Sequence, residues 1–156
     1  MVIEMDKILT FIVNEYNEIL LLKGSENDPQ FNKSFWYVVT GGCEECDSNR
    51  EETVKREVKE ETGLLTNNNI YLNWILEYKS LGVQCKEYVY ISFVNKSSIV
   101  LNEENIKYKW CTFQEFIQKT EWFGEKSILE KVLKSAIEKE IYFKEEKIEN
   151  FGYKKV

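Results

Sequence analysis

Apolar and polar residues along the chain form runs that predict short strands separated by polar turns. The segment 8–13 is apolar and rich in β-branched residues, and a polar turn separates it from a second apolar segment, 19–22. Two such runs around a short polar turn are typical of a β-hairpin. Further strands are predicted at residues 35–39, 71–78, 87–94 and 108–111.

Three segments have the features of helices. Residues 49–62 are predicted to form a helix. Ser48 or Asn49 can cap its start, and Gly63 follows its end, where a left-handed C-terminal cap is expected. Two further helices are predicted at residues 113–119 and 125–140. The last of these has apolar positions that recur with helical period. Strands mixed with a few helices predict a layered α/β (α+β) fold, in which helices cover a mixed β-sheet.

The length of the chain is that of one domain. Its 156 residues are 43% hydrophobic and 14% aromatic, which is enough apolar material for a packed core. We therefore predict a single domain over residues 1–140. The tail, residues 141–156, is rich in lysine and glutamate, and we expect it to be a C-terminal extension that is either helical or loosely ordered.

Charge and composition exclude several classes of function. The net charge of -6 gives the chain no broad attraction for nucleic acid or for an anionic membrane. The chain contains no histidine, which excludes Ser-His and Cys-His nucleophiles and every metal site with a histidine ligand. Water activated by a carboxylate or by a metal ion is the main remaining route to catalysis. A phosphate substrate would need a local reversal of charge, most simply by a bound divalent cation.

The cysteines do not indicate a metal or redox site. Cys43 and Cys46 form a C-x-x-C pair, but Cys85 and Cys111 lie far apart and supply no second pair. A zinc ribbon needs two close pairs, so we expect ordinary reduced thiols. No signal peptide, transmembrane run or lipidation site is recognisable, which predicts a cytoplasmic protein. A homodimer is compatible with the sequence, which does not fix the oligomeric state.

One helix carries an unusual concentration of acids. On residues 49–62, the apolar Val54 and Val58 define the face that turns to the core, and three glutamates fan out along one side of it. These are Glu57, Glu60 and Glu61, and the last is expected to project so close to the apolar face that its carboxylate is not freely solvated. Like charges at these spacings repel one another. Either basic neighbours such as Arg56 and Lys59 neutralise them, or a divalent cation binds between them.

The surroundings of this helix favour the cation. Gly41 and Gly42 follow the predicted strand 35–39 and allow the backbone to approach a ligand closely. After thirteen further residues comes Arg-Glu-Val-Lys-Glu-Glu-Thr-Gly-Leu. This arrangement resembles the Nudix box, which is Gly, five residues, Glu, seven residues, Arg-Glu, an apolar residue, any residue, Glu-Glu, any residue, Gly and an apolar residue. From Gly42 to Leu64 every fixed position matches except one, where Ser48 replaces the first glutamate.

The resemblance implies a fold and a metal-dependent hydrolase. Nudix enzymes are α/β/α sandwiches with a mixed sheet, in which a loop-helix-loop binds Mg²⁺ or Mn²⁺ and cuts a diphosphate linked to a nucleoside. By similarity, Glu57, Glu60 and Glu61 would be metal ligands, one of them also acting as the base toward water, and the Gly41 carbonyl would be a further ligand. The positions that maintain the box would be Gly42, Arg56 and Gly63.

Ser48 replaces a glutamate that helps to hold the box in its conformation. In the family, the first glutamate often pairs with the arginine, which is Arg56 here. Its loss is expected to free Arg56 to pair with Glu51 or Glu52, while Ser48 could still cap the helix. Because the three helix glutamates remain, we expect metal binding to be retained. The alternative is a binding module that senses a nucleotide with weakened or no hydrolysis.

Outside the box the similarity extends to the branch that acts on nucleoside and pterin triphosphates. The segments 36–42 and 101–110 resemble that branch, and Glu104, six residues before Trp110, would be a further metal ligand or base; a solvated loop acid is the alternative. Three residues are candidates for substrate binding: Lys23 and Arg50 for phosphate, and Trp36 for stacking on a base or pterin ring. A surface lysine, a surface arginine and a core aromatic are the corresponding structural interpretations.

The function predicted from these features is hydrolysis of a small nucleotide-like diphosphate. Nucleoside triphosphates or a pterin triphosphate are the first substrate candidates, and dinucleoside polyphosphates or a sugar nucleotide the second. Cleavage of a capped or triphosphorylated RNA end is disfavoured, because the chain is acidic and has no basic tract.

Overall fold

The protein, a computed structural model, is described here over residues 3–25 and 35–149, with side chains to residue 139. The chain forms two compact units, Met1–Glu121 and Trp122–Val156. The first contains all the described strands and two helices, and the second contains the last helix. In chain order the elements are β1 Ile3–Val13, β2 Ile19–Gly24, β3 Trp36–Tyr37, β4 Val39–Gly42, α1 Arg50–Thr62, β5 Thr66–Ser80, β6 Val83–Val94, β7 Asn105–Cys111, α2 Phe113–Lys119 and α3 Lys126–Glu149.

The strands form a seven-stranded mixed sheet. Its central order is β3-β2-β1-β6-β5, with β4 paired to β1 and β7 paired to β2. Strand β1 runs parallel to β6 along its whole length, and the other strand pairs are antiparallel. The predicted hairpin between β1 and β2 is present. Its turn is closed by Asn14, whose Oδ1 accepts the backbone N–H groups of Tyr16 and Glu18. The predicted fold class is confirmed.

Several strands are longer than their apolar runs. Strand β1 begins at Ile3 rather than residue 8, and β5 covers Thr66–Ser80 rather than 71–78, because pairing with β6 continues through polar residues at both ends. The predicted strand 35–39 is divided in two. Trp36–Tyr37 pairs with β2 and Val39–Gly42 pairs with β1, so the chain changes partner at Val38.

The helices match their predicted positions, apart from the length of α3. It runs from Lys126 to Glu149, so residues 141–149 take the helical alternative expected for the extension, since this lysine- and glutamate-rich segment has high helix propensity. Residues 150–156 of the predicted extension lie outside the described residues. None of the described helices is long and apolar enough to cross a membrane.

Helix α1 packs on one face of the sheet. Val54 and Val58 are fully buried, which confirms the face predicted to turn to the core. The cluster they join also contains side chains from β1, β2, β4, β6 and the residue after Gly63: Ile8, Ile12, Leu20, Leu22, Val39, Tyr90, Val94 and Leu64. Helix α2 is fixed by a capping box between Thr112 and Glu115, and its Phe116 meets Phe11 edge to face.

A polar cluster lies among the strands β1, β5 and β6. The Lys7 ammonium donates to the Tyr78 hydroxyl at 3.0 Å, and that hydroxyl donates to Glu87 Oε2 at 2.9 Å. Lys7 Nζ is also 3.8 Å from Glu87 Oε2. Glu87 is only 4% exposed, and burial raises the pKa of its carboxyl while Lys7 and Tyr78 lower it. The buried charge therefore depends on these two neighbours.

Candidate active site

Helix α1 places the acidic residues by capping at both of its ends. Asn49, rather than Ser48, is the N-cap, and its side chain accepts the backbone N–H of Glu52 at 2.9 Å. At the other end Gly63 adopts the left-handed conformation with φ 77°, and its N–H donates to the Lys59 carbonyl at 2.8 Å. These caps define the helix limits and so the direction of each glutamate around it.

The three helix glutamates differ sharply in their exposure to water. Glu61 is 5% exposed, which confirms that its carboxylate is not freely solvated. Glu57 is mostly buried, while the Glu60 side chain is 52% exposed. The cluster therefore extends from the protein interior at Glu61 to solvent at Glu60.

Glu61 is a buried acid with one oxygen unsatisfied. Its Oε1 accepts the side-chain amide of Asn105 at 3.1 Å, whereas Oε2 is buried and has no hydrogen-bond partner among the described residues. Burial, together with the charges of Glu104 and Glu57, raises the pKa of Glu61 to about 9, although the Asn105 bond lowers it. An unpaired buried carboxylate is costly, so this atom would be stabilised by a cation.

Glu104 lies beside this acid, as the sequence suggested. The negative charge of Glu104 raises the pKa of Glu61. Its backbone is anchored on both sides: the N–H donates to Asn102 Oδ1 at 3.1 Å, and the carbonyl accepts the N–H of Ser25 at 2.9 Å. The start of β7 therefore brings a fourth acid to the end of α1.

The glycine before the box touches the acidic cluster directly. A Cβ atom added to Gly41 would lie 2.2 Å from Glu57 Cδ, and one added to Gly42 would meet the end of the Met5 side chain at 2.6 Å. Only glycine at position 41 lets the strand backbone lie against this carboxylate. The structure thus places the Gly41 backbone beside Glu57.

At the cation site that the sequence predicts, replacing Gly41 by alanine is expected to weaken Mn²⁺ binding by about 10–100-fold, the range found when the support of a metal ligand is removed. The new methyl group would displace the Glu57 carboxylate, which Arg56 holds at 2.8 Å. Titration with Mn²⁺ measures the effect. Gly42→Ala is the comparison, because only the mobile end of Met5 must move; equal losses in both variants would contradict the steric explanation.

Arg56 is the centre of the hydrogen-bond network around the cluster. It forms a two-bond pair with Asp47, from Nε to Oδ1 at 3.0 Å and from Nη2 to Oδ2 at 2.9 Å. Nη1 donates to Glu57 at 2.8 Å and contacts Glu60 at 3.3 Å, and Nη2 also donates to the Gly42 carbonyl at 3.0 Å. One guanidinium thus connects the loop, the strand end and the helix.

The expected partners of Arg56 were wrong. It pairs with neither Glu51 nor Glu52, and the Glu52 side chain is paired with Lys55 at 3.6 Å on the helix surface. Asp47, which the sequence analysis missed, takes that place because the turn from Glu44 to Asp47 directs its carboxylate at the arginine. The available signal was an acid one residue before the vacant box position.

Two of the three candidate substrate residues lie together. Lys23 Nζ is 5.8 Å from the centre of the Trp36 ring, and Lys119 Nζ, which was not predicted, is 5.9 Å from it. The Trp36 backbone is fixed by Glu121, whose Oε2 accepts its N–H at 3.0 Å and whose N–H donates to its carbonyl at 3.2 Å. The half-buried indole is therefore an aromatic surface with a fixed backbone, and the ammonium groups of Lys23 and Lys119 lie close to it.

Arg50 lies in different surroundings. Its guanidinium carbon is 4.0 Å from the Tyr88 ring centre and 5.4 Å from that of Tyr71, and its Nε donates to the Tyr90 hydroxyl at 3.4 Å. These tyrosines belong to β5 and β6, whereas Lys23 and Trp36 belong to β2 and β3 on the other side of β1. The structure does not bring Arg50 together with the other two, and its role in phosphate binding stays a prediction.

Within the described part of the chain, no three His, Cys, Asp or Glu side chains form a group arranged to hold a metal ion. Arg56 occupies the space between Glu57 and Glu60. The site offers a set of oxygen donors from α1, the Gly41 backbone beside them, and one buried oxygen that has no hydrogen-bond partner in the described part of the chain.

Comparison with known proteins decides the family. The family model described as the NUDIX domain matches residues 5–132. The chain belongs to the Nudix family. This confirms the resemblance seen in the sequence and, with it, the predicted enzyme class, a hydrolase that acts on pyrophosphate bonds. No curated protein sequence matches the chain significantly.

Several solved Nudix structures share the fold. A MutT protein from Methanosarcina mazei Go1 is 23% identical, with a TM-score of 0.71 over 86% of this chain and 96% of its own. An Ap4A hydrolase from C. elegans is 18% identical, with a TM-score of 0.65 over 87% and 98%. The dihydroneopterin triphosphate pyrophosphohydrolase of E. coli is 21% identical, with a TM-score of 0.61 over 83% and 96%. At these identities the likeness is one of fold.

Proposed function

We propose that this Nudix hydrolase cuts a diphosphate linkage in a nucleoside triphosphate-like substrate, or in another nucleoside diphosphate derivative, with Mg²⁺ or Mn²⁺ bound at the acidic cluster. The observation that supports this most directly is Glu61. Burial, with the charges of Glu104 and Glu57, raises the pKa of this acid, and its Oε2 has no hydrogen-bond partner among the described residues. A bound cation would stabilise the ionised form that this environment otherwise disfavours.

The donor set suits a hard divalent ion. Glu57, Glu60, Glu61 and the Gly41 carbonyl would supply only oxygen, which Mg²⁺ and Mn²⁺ prefer over nitrogen or sulfur ligands. When bound, such an ion would neutralise the diphosphate and lower the pKa of a water molecule. Asn105 holds Oε1 of Glu61 and so orients the other oxygen. A glutamate of the cluster, Glu104 included, would accept the proton of the attacking water.

Lys23 and Trp36 are proposed to bind the rest of the substrate. The held indole offers a flat face to a base or pterin ring, and Lys23 precedes Gly24, whose neighbour Ser25 is bonded to the Glu104 carbonyl. Lys23 therefore lies two residues before a backbone contact with Glu104, and Trp36 lies beside Lys23. In a protein of net charge -6, a local cation beside an aromatic ring favours a nucleotide phosphate.

A substrate panel tests the function. Nucleoside triphosphates, dihydroneopterin triphosphate, Ap4A and sugar nucleotides would be incubated with the protein and Mg²⁺, with phosphate and pyrophosphate release measured by ³¹P NMR. We expect turnover of at least one substrate and its abolition by EDTA. Absence of metal-dependent turnover across the whole panel would contradict the proposal.

Trp36→Leu is expected to raise KM on the preferred substrate by about tenfold while changing kcat less, because stacking of a base on an aromatic ring contributes about 1–3 kcal/mol. Steady-state kinetics measure this. Trp74→Leu, on the edge strand β5 across the sheet, is the control and should leave KM unchanged. A fall in kcat with KM unaffected would show that Trp36 supports the fold instead of the substrate.

A nucleotide-sensing protein without turnover is the second candidate, suggested by Ser48 in place of the first box glutamate. The pairing of Asp47 with Arg56 weakens that case, because the arginine already has a carboxylate partner. Calorimetry showing tight nucleotide binding, together with no product in the panel above, would favour the sensor over the enzyme.

A further inference from the structure

We propose that Asp47 replaces the missing box acid as the positioning residue of this site, acting through Arg56 on Glu57 and on the carbonyl of Gly42. The inference rests on the proposed function, since it concerns how the cation site is held. In this proposal Asp47 pairs with the Arg56 guanidinium. Ser48, at the box position, cannot do so as an anion because serine carries no negative charge.

The contact between Asp47 and Arg56 is specific. Both oxygens of Asp47 accept from two different nitrogens of the guanidinium, at 3.0 and 2.9 Å, and the Asp47 side chain is only 6% exposed. Two parallel charge-assisted bonds fix the plane of an arginine as well as its position. The Arg56 hydrogen bond holds the pKa of Asp47 well below its usual range, so the carboxylate stays charged at neutral pH.

Asp47 is itself fixed by the loop and the helix. Its Oδ2 also accepts the backbone N–H of Glu44 at 3.0 Å and the hydroxyl of Thr53 at 2.9 Å. Thr53 is fully buried within α1. The turn between Glu44 and Asp47 and the first turns of α1 therefore meet at this one carboxylate.

Arg56 passes this constraint on to the cation site. The same guanidinium donates to Glu57 at 2.8 Å and to the Gly42 carbonyl at 3.0 Å, the residue next to the proposed carbonyl ligand Gly41. With Asp47 neutral, the positive charge of Arg56 would be shared among Glu57, Glu60 and the exposed Glu44, and would compete with a divalent ion for the oxygens of Glu57 and Glu60. Removing the Asp47 charge should therefore lower the cation affinity in two ways. Arg56 would lose its fixed orientation, and it would compete more strongly with the cation for the glutamate oxygens.

Binding of Mn²⁺ alone, followed by calorimetry, tests the inference in the intact protein. Asp47→Asn is expected to weaken Mn²⁺ binding on the order of 10–100-fold, the effect of losing an outer-shell partner. Moving the acid to the box position, in the double variant Asp47→Ser with Ser48→Glu, is expected to restore most of the affinity. Glu44→Gln is the control, since its exposed carboxylate lies 3.7 Å from Arg56 and contributes little.

The outcomes separate this inference from the function on which it rests. If wild type binds no Mn²⁺, the proposed cation site fails. If wild type binds Mn²⁺ and Asp47→Asn binds it equally well, with only the melting temperature lowered, Asp47 is a structural loop residue and the inference is overturned. It is also overturned if affinity is lost in Asp47→Asn and not recovered by the relocated carboxylate, because the turn rather than the Arg56 contact would then be responsible.

Discussion

Glu61→Gln is expected to lower kcat by about 10²–10⁴-fold, the range for loss of a residue that moves a proton or holds the reacting groups, while the metal-free protein becomes more stable. Both effects have one cause. In the metal-free protein burial raises the pKa of Glu61 to about 9, so at neutral pH folding must protonate this acid, a cost that a neutral amide avoids. The burial that prepares this acid for a cation therefore destabilises the metal-free fold at neutral pH.

The stability difference should depend on pH in a defined direction. Burial raises the pKa of Glu61 in the folded protein to about 9, well above the ordinary 4.5 of a glutamate carboxyl. A group with a raised pKa contributes its full stability below the unfolded value and loses it as pH rises through the folded one. Wild type should therefore lose stability relative to Glu61→Gln between about pH 5 and 9, measured by urea unfolding in EDTA.

Glu52→Gln is the matched control for this comparison. Glu52 lies on the same helix, is exposed, and its side chain pairs only with Lys55 among the described residues, so its replacement should leave both kcat and the pH dependence of unfolding unchanged. A Glu61→Gln enzyme with wild-type turnover would remove this acid from the chemistry. A variant that is less stable at pH 9 than wild type would show that Glu61 is not a desolvated acid.

Local patterns predicted the helix that carries the chemistry. The limits of helix α1 were predicted to within one residue because its caps, its apolar face and its acidic residues all lie within fifteen consecutive positions. The partner of Arg56 could not be obtained in this way. It depends on how the loop turns between Glu44 and Asp47, and the spacing of the box pointed to the helix acids instead.

Contacts between strands distant in sequence were also beyond local patterns. Strands β1 and β5 were predicted too short, since hydrogen bonding to β6 extends strand structure through residues whose side chains are polar. Lys119 reaches Trp36 from a different element, and no spacing rule connects them. Lys23 and Trp36 were both predicted to bind substrate. That they lie side by side could not be predicted, because it results from the pairing of β2 with β3.

Lys7→Met is expected to destabilise the protein by about 3 kcal/mol at pH 7, because breaking a buried ion pair leaves an uncompensated charge. Glu87 is almost fully buried, and without Lys7 its only remaining described partner is the Tyr78 hydroxyl. Urea unfolding of wild type and variant measures the difference.

The same variant should recover as the pH falls. Lys7 lowers a Glu87 pKa that burial raises, so its removal raises the folded-state pKa further above the unfolded value, and the variant is penalised only where Glu87 is ionised. The difference from wild type should therefore shrink toward pH 4, where the acid is protonated in both. Lys79→Met, an exposed lysine on β5, should show no such dependence, and adding Glu87→Gln to Lys7→Met should restore stability at pH 7. A loss that is equal at pH 4 and pH 7 would mean that Lys7 acts by packing its methylene chain rather than by pairing its charge.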